Sequence, residues 1–233
     1  MPLPPLIWDS VDAEVVPPQG MDLLWSTGWR HFGRQFFRYS VAEHAGQWQG
    51  IVPLRIDLQA SSLSKSQRRV LRKNADLTVL WTPICVSEET VAMFERHKAR
   101  FKENVPESLA CFLGETPEKG PCQCLELQCR LGDRLVAVSF VDVGHAAVSS
   151  VYGIFEPEES RRSLGIFTML LELEWARQQG FRYHYPGYAM TGPSHYDYKK
   201  QFNAMEGLDW ESGEWRPLEK SELKEEVHLD DGA

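Results

Sequence analysis

Hydrophobic positions in the second half of the chain change from a period typical of strands to one typical of a helix. Three segments alternate or run apolar like strands, and the GD pair at 132–133 predicts a hairpin between the first two. A helix closed by Gly180 follows, and one more strand, FRYHYPGYA, comes after it. The apolar positions of this helix are Leu164, Phe167, Leu171 and Trp175. The pattern therefore predicts an α+β fold with a mixed sheet.

The first half contains shorter elements. A helix is expected from Met21 to about Gly28, followed by strands in RQFFRYSVAEH and GQWQGIVPLRIDL. A second helix is expected from about Glu88, with Ser87 as its cap. One side of that helix is expected to carry Val91, Phe94, Lys98 and Phe101. We expect an N-terminal segment over 1–80, a core over 81–218 and an acidic, disordered tail over 219–233.

Composition excludes some classes of protein. Of the 233 residues 42% are hydrophobic, but no apolar run approaches the roughly 20 residues of a membrane span. No basic segment followed by an apolar stretch opens the chain, so we expect a cytoplasmic protein. The net charge of -8 argues against indiscriminate nucleic-acid binding but not against a local basic patch. We expect no DNA partner.

Cysteine usage bears on metal binding. The chain has five Cys, an odd count without an export signal, which favours reduced thiols. Cys122, Cys124 and Cys129 cluster in CQCLELQC, but the cluster lacks the CxxC spacing and the four ligands of a closed zinc site. In a strand the first two share one face and the third lies on the other. We therefore predict ordinary thiols and no metal site.

A basic stripe occupies the stretch SSLSKSQRRVLRKN at 61–74. A Ser at 61, 62 or 64 caps the predicted helix, which runs to about Asn74. The stripe consists of Lys65, Arg68, Arg69, Arg72 and Lys73. Their spacing of i, i+3, i+4, i+7 and i+8 places them on one helix face, where like charges repel. Either acidic neighbours balance this face, or it binds an anion such as a sugar-phosphate backbone.

Two further segments suggest a binding site. RRSLGIF at 161–167 lies where a strand ends and the long helix begins, so its backbone N–H groups suit an anion or a carbonyl. Arg162 and Gly165 fit half of the N-acetyltransferase pyrophosphate loop, but Phe167 stands where that loop has a small residue. The segment at 183–202 is rich in aromatic residues, and Gly187 between two Tyr suggests close backbone approach.

Together these segments resemble the arginyl- and leucyl-tRNA-protein transferases, which append an amino acid from aminoacyl-tRNA to a protein N-terminus. The matching stretches include GWRHFG, PLRI, SKSQRRVLRKNADL, LVAVSFVDV, SSVYGIF, RRSLG, ELEWAR, YHYPGY and YDYKKQF. The resemblance implies an N-acetyltransferase-like core, aminoacyl-tRNA as donor, and an acceptor that begins with Asp or Glu. The transferred residue would be Arg or a Leu-like amino acid.

The resemblance also assigns roles to residues. Asp142 and Tyr152 are the predicted catalytic residues, and the basic stripe would contact the tRNA. The predicted donor site consists of Arg162, Ser163, Leu164 and Gly165. The predicted acceptor site consists of Tyr185, Gly187, Tyr188, Tyr198 and Lys199. The family usually has an N-terminal cysteine cluster that binds a metal or iron-sulfur cofactor; here no Cys precedes Cys85, so we expect no cofactor.

Two other functions stay open at this point. An acyl-CoA N-acyltransferase has a related fold, although Phe167 and the basic stripe count against it. A non-catalytic protein that binds tRNA or a degron would keep the fold without the activity. Transfer of an amino acid from aminoacyl-tRNA to a peptide separates these functions from the first.

Overall fold

The computed structural model describes residues 4–44, 46–102, 105–192 and 197–218. Its helices are α1 (Pro18–Ser26), α2 (Lys65–Lys73), α3 (Glu88–Lys98), α4 (Ala110–Leu113) and α5 (Leu164–Gln178). Its strands are β1 (Trp8–Asp12), β2 (Arg30–Phe32), β3 (Gln35–Tyr39), β4 (Val41–His44), β5 (Gln47–Asp57), β6 (Thr78–Pro83), β7 (Gln123–Leu131), β8 (Arg134–Val143), β9 (Ala147–Phe155), β10 (Tyr183–Met190), β11 (Met205–Leu208) and β12 (Trp215–Pro217). The predicted tail over 219–233 lies outside the described residues.

The strands form one large sheet and one small one. The large sheet has the order β12-β11-β5-β10-β9-β8-β7-β6, with β4 also paired to β5. The small sheet has the order β1-β3-β2. Most neighbours are antiparallel, whereas β9 and β10 run parallel because α5 crosses over between them. The predicted α+β class and its mixed sheet with flanking helices are confirmed.

The parallel pair is short, and this opens the sheet. β10 pairs with β9 only as far as the partners Tyr185 and Ser149. Beyond that point β9 stays beside β8, while β10 pairs with β5 through a register shift between His184 and Gly187. Gly187 has φ +104, which only glycine adopts readily. We call the gap beyond Ser149 and Tyr185 the strand split.

Helices cover both faces of the large sheet. On one face α5 packs Leu170 and Leu173 against Leu54 and Val148. On the other face α3 and α4 pack against β8 and β9, and α1 lies beside β3. β5 comes from the predicted N-terminal segment yet lies between β11 and β10. The domain boundary at residue 80 stays a prediction, and the large sheet includes strands from both sides of it.

The expected inner face of α3 is wrong in part. The helix begins after the Ser87 cap as predicted, and Phe94 is buried. Val91 is 44% exposed, however, and Phe101 lies beyond the helix end. The side chains that face the core are Thr90, Met93, Phe94 and His97. The rotation follows from packing, because the helix turns its face toward β8 and β9, which the local sequence does not encode.

Candidate functional site

Arg30 of β2 reaches into the strand split. Its guanidinium donates hydrogen bonds to Ser149 Oγ and to the Ser150 carbonyl, and a longer one of 3.4 Å to the Tyr185 carbonyl. All three partners are neutral oxygens. Among the described residues, no carboxylate forms an ion pair with this guanidinium. Burial lowers the pKa of Arg30, but an arginine still carries its charge at neutral pH.

Lys199 brings a second cation to the same place. Its Nζ donates a hydrogen bond of 2.8 Å to the Pro186 carbonyl. A Cβ on Gly187 would lie 3.4 Å from Lys199 Nζ and 3.8 Å from Arg30 Nη2, so both cations end beside this glycine. Burial, together with the nearby charge of Arg30, lowers the pKa of Lys199 from 10.5 to about 7.

A buried carboxylate lies on the opposite face of β9. Glu172 of α5 is 2% exposed and accepts hydrogen bonds from Ser139 Oγ at 2.5 Å and from Ser150 Oγ. It also accepts from His184 Nε2 at 2.8 Å. Ser149 and Ser150 point to opposite faces, as successive strand residues do, so they link Arg30 and Glu172 across the sheet. This network fixes the strands where they separate.

Tyrosines shape the surroundings of the strand split. Tyr188 donates a hydrogen bond of 2.6 Å to the Gly28 carbonyl, and burial raises the pKa of its hydroxyl. Tyr185 is 4% exposed, and burial raises its pKa to about 12. Tyr198 is partly buried at the edge of the main core cluster. Of the predicted acceptor residues, Tyr185, Gly187, Tyr188 and Lys199 are thus brought together around Arg30.

Asp142 lies next to this region, on β8. It is 3% exposed, and its Oδ2 is 2.7 Å from His31 Nε2. Cys124 is its partner on β7, and Ser149 is its partner on β9. Burial and the charge of Asp142 raise the pKa of Cys122 and Cys124. Cys129 instead lies in the core beneath α5, so the expected division of the cysteines between two faces is confirmed.

Tyr152, the other predicted catalytic residue, lies farther along β9. Its ring stacks on Phe112 with centroids 3.8 Å apart and meets Phe94 and His97 edge-on. These contacts belong to the aromatic cluster beneath α3 and α4. They do not include Asp142, and the catalytic role of Tyr152 stays a prediction.

The basic stripe is exposed on α2 as the spacing predicts. All five of its cations are exposed. A capping box starts the helix: Ser64 Oγ accepts from the Gln67 backbone N–H at 3.1 Å, and the Ser64 N–H donates to Gln67 Oε1 at 2.8 Å. The uncharged side of the helix rests on α5 through Val70 and Leu71. The stripe therefore faces solvent.

The predicted donor site adjoins this stripe. Lys73 donates a hydrogen bond to the Arg161 carbonyl, and Asn74 donates one of 2.9 Å to the Arg162 carbonyl. Arg162 itself is held by Asp76 at 2.9 Å and by Glu159 at 2.8 Å. The exposed Arg161 extends the stripe toward the start of α5, which the spacing within α2 alone does not reveal.

The turn into α5 has an unusual backbone. Ser163 adopts the left-handed conformation with φ 56 and ψ 47. Leu164 and Phe167 are buried, so the Phe167 ring fills the core and does not project into the loop. A Cβ on Gly165 would make only an ordinary contact of 3.5 Å with Phe155. The backbone conformation of Ser163 and the ion pairs of Arg162 thus shape the loop more than Gly165 does.

A comparison with known families gives this geometry a context. Residues 89–209 match the family model described as arginine-tRNA-protein transferase, C terminus. The chain belongs to this family. It is accordingly an aminoacyl-tRNA-protein transferase, and the predicted family and enzyme class are confirmed.

Curated relatives extend the match beyond that region. An aspartate/glutamate leucyltransferase from Stenotrophomonas maltophilia is 28% identical over 212 residues, which cover 88% of this chain and 82% of that protein. One from Marinobacter nauticus is 31% identical over 200 residues, which cover 84% of this chain and 81% of that protein. One from Xanthomonas euvesicatoria pv. vesicatoria is 33% identical over 178 residues, which cover 72% of this chain and 69% of that protein.

Similar solved structures are more distant. FemX has a TM-score of 0.49 at 9% identity, covering 81% of this chain and 65% of that one. The C-terminal domain of a putative lysylphosphatidylglycerol synthetase from Agrobacterium fabrum has a TM-score of 0.48 at 16% identity, covering 60% and 46%. Neither likeness supports an argument about activity. Among the described helices of this transferase, none is long and apolar enough to cross a membrane.

The family's cysteine-bound cofactor does not fit the N-terminal strands. β3, β4 and β5 pair with their neighbours through residues that include no Cys, since the first Cys of the chain is Cys85. Sequence reasoning did not predict a role for three residues at the site, Arg30, His31 and Glu172. Arg30 and His31 lie in GWRHFG and Glu172 lies in ELEWAR. The family resemblance marks both stretches, but no local pattern singles out these side chains.

Proposed function

We propose that this transferase moves a leucyl group from leucyl-tRNA to the N-terminal amine of proteins that begin with Asp or Glu. The names of the curated relatives support the choice of leucine and of the acidic acceptor. The observation that carries the acceptor half is Arg30. A half-buried cation bound only to neutral oxygens of the described residues, with a second cation beside it, suits a carboxylate that arrives with the substrate.

The acceptor side chain would enter the strand split. Its carboxylate would meet Arg30 and Lys199 beside Gly187, where the absence of a side chain lets the peptide approach. Tyr185 and Tyr188 would bound this pocket. A neutral Asn or Gln side chain of the same size would bring no negative charge to Arg30. Charge therefore gives the selectivity.

The aminoacyl-tRNA donor would bind where α2 lies beside the start of α5. The basic stripe and Arg161 would contact the tRNA backbone, and the loop at 161–165 would lie near its aminoacylated end. Glu172 stands eight residues after Leu164, so the start of α5 is roughly 12 Å from the level of the strand split. The single-stranded end of a tRNA spans such a distance.

The reaction needs orientation more than activation. The neutral acceptor amine attacks the ester carbonyl of the leucyl group, an amide bond forms, and the ester C–O bond to the terminal ribose breaks. The amine loses a proton and the leaving hydroxyl gains one. Because the ester is already activated, holding the two reactants together supplies much of the rate. The roles predicted for Asp142 and Tyr152 in moving the proton stay predictions.

A transfer assay tests this proposal. The protein is incubated with radiolabelled leucyl-tRNA or arginyl-tRNA and with peptides that begin with Asp, Glu, Asn or Ala. We expect label on the Asp and Glu peptides from leucyl-tRNA alone. Label from arginyl-tRNA alone would contradict the choice of leucine, and equal label on the Asn peptide would contradict the role of Arg30. Salt-sensitive tRNA binding without any transfer would contradict the activity as a whole.

A further inference from the structure

A second group of polar side chains meets one strand away from the strand split. It contains His31 of β2, Cys122 just before β7, and Asp142 of β8. Their ligand atoms all lie within 4.8 Å of one another. His31 is 6% exposed and Asp142 is 3% exposed. Three segments far apart in the sequence thus place a nitrogen, a sulfur and an oxygen around one point.

The hydrogen bonds of His31 set its orientation. Its Nδ1 is 2.8 Å from the Gly33 carbonyl, which can only accept, so Nδ1 carries a hydrogen. In the neutral ring Nε2 then has its lone pair directed at Asp142 Oδ2, which is 2.7 Å away and also an acceptor. Two acceptors at this distance require a shared cation. That cation is either a proton or a metal ion.

The donor set and the space favour the metal ion. Imidazole nitrogen, thiolate sulfur and carboxylate oxygen are zinc ligands, and a ligand His characteristically donates its other N–H to a backbone carbonyl. A cavity of about 20 Å3 is lined by these three residues and also by Cys124. We propose that His31 Nε2, Cys122 Sγ and Asp142 Oδ2 bind one zinc ion at this cavity, which Cys124 also lines.

The distances need only small changes. Zinc bonds of about 2.0 to 2.3 Å in a tetrahedron place neighbouring ligand atoms roughly 3.3 to 3.8 Å apart. His31 Nε2 is 2.7 Å from Asp142 Oδ2 and 4.0 Å from Cys122 Sγ. The first pair must open and the second must close by less than about 1 Å, within reach of side-chain rotation. Binding displaces two protons to solvent: the thiol proton of Cys122 and the proton that His31 Nε2 and Asp142 Oδ2 share in the metal-free protein.

This site differs in place and ligands from a cluster of N-terminal cysteines. It fastens β2 to β8 beside Arg30, so the metal would hold the arginine in position without touching a substrate. An Asp142 that binds zinc is not a general base, and the two roles exclude each other in the metal-loaded protein. The zinc proposal does not depend on which amino acid is transferred.

Metal binding can be measured directly on the tag-free, reduced protein. After chelation, the protein is titrated with zinc and its bound metal is counted by elemental analysis. We expect one zinc per chain in the unaltered protein and in Cys111→Ser, whose cysteine is exposed and outside the cavity. In Cys122→Ser we expect binding at least about 100-fold weaker. No stoichiometric zinc in the unaltered protein, or full binding by Cys122→Ser, would overturn the proposal.

A second measurement avoids variants that fail to fold. The unaltered protein is treated with an alkylating reagent with and without zinc, and the modified cysteines are identified by mass spectrometry. Zinc should protect Cys122 and Cys124 while Cys85 and Cys111, both exposed, react equally in either case. Cobalt in place of zinc should give the charge-transfer absorption of a thiolate ligand. Equal alkylation of Cys122 with and without zinc would contradict the site.

Discussion

The basic stripe and the strand split both hold cations, but in opposite environments. The stripe places five exposed cations within nine positions of one helix, where salt screens them. The strand split places Arg30 and Lys199 in partly enclosed positions, against neutral oxygens. Exposed charges in a row suit a long polyanion at modest selectivity. Enclosed charges suit a single carboxylate, because a low dielectric strengthens each contact and penalises a wrong partner.

Reversing the charge of the stripe should give the largest effect. In Arg68→Glu/Arg69→Glu/Arg72→Glu we expect tRNA binding to weaken at least about 100-fold. The slope of log K against the logarithm of the salt concentration should become less negative by roughly 2 to 3. Binding is measured at several salt concentrations. The control makes the same charge change at Arg34, Lys102 and Arg216, which are exposed outside α2. Equal weakening in the control would mean that total charge, and not the stripe, binds the tRNA.

Changing Glu172 tests how firmly the strand split is held. In Glu172→Gln the amide NH2 must face groups that themselves donate hydrogen bonds, so we expect a loss of about 3 kcal/mol in the free energy of unfolding. Urea denaturation measures it. Glu174→Gln on the same helix is the control, because its partner Arg177 is about half exposed and the pair contributes at most about 0.5 kcal/mol. A similar small loss in Glu172→Gln would show that the buried network is dispensable.

The lowered pKa of Lys199 predicts a pH dependence. With a pKa of about 7 the lysine is charged below that pH and loses its charge above it. We therefore expect KM for a peptide beginning with Asp to rise about tenfold from pH 6 to pH 8.5. Lys199→Arg stays charged over this range and should lack this additional rise in KM. Because the acceptor amine titrates equally in both assays, its contribution cancels when the two proteins are compared. Parallel pH profiles of KM would refute the role of Lys199 in binding the acceptor carboxylate.

Folding stability gives the same titration an independent readout. The folded-state pKa of Lys199 lies below the usual 10.5, so the unfolded chain binds more protons between about pH 7 and 10.5. The free energy of unfolding should rise with pH across this window relative to Lys199→Met. No difference in slope between the two proteins would contradict the lowered pKa.

The cap of α2 should give the smallest effect. Ser64→Ala removes the acceptor for the Gln67 N–H and should cost about 1 kcal/mol in the free energy of unfolding. Ser66→Ala, at an exposed position within the helix, should change it by at most about 0.5 kcal/mol. If the cap matters for function, tRNA binding weakens in the first variant and not in the second. Equal stabilities would show that packing on α5 alone sets the helix start.

The two regions also differ in what the sequence reveals. The stripe is local: periodicity, the Ser cap and the Asn at the end of the helix all lie within 61–74, so its helix and its exposure follow from the sequence. The strand split is not local. Arg30 meets Ser149 across 119 positions, and nothing near Arg30 indicates that contact. The same holds for His31 and Asp142, which only the packing of β2 on β8 brings together.

The most direct test of the account compares two peptides that differ in one charge. The ratio of kcat/KM for a peptide beginning with Asp over one beginning with Asn is measured in the unaltered protein, in Arg30→Lys and in Arg30→Met. Unfolding curves establish that each variant folds. We predict a ratio on the order of 100 or more in the unaltered protein, an intermediate ratio with Lys, and a ratio within about tenfold of unity with Met. An unchanged ratio in folded Arg30→Met would contradict the claim that Arg30 selects the acidic acceptor.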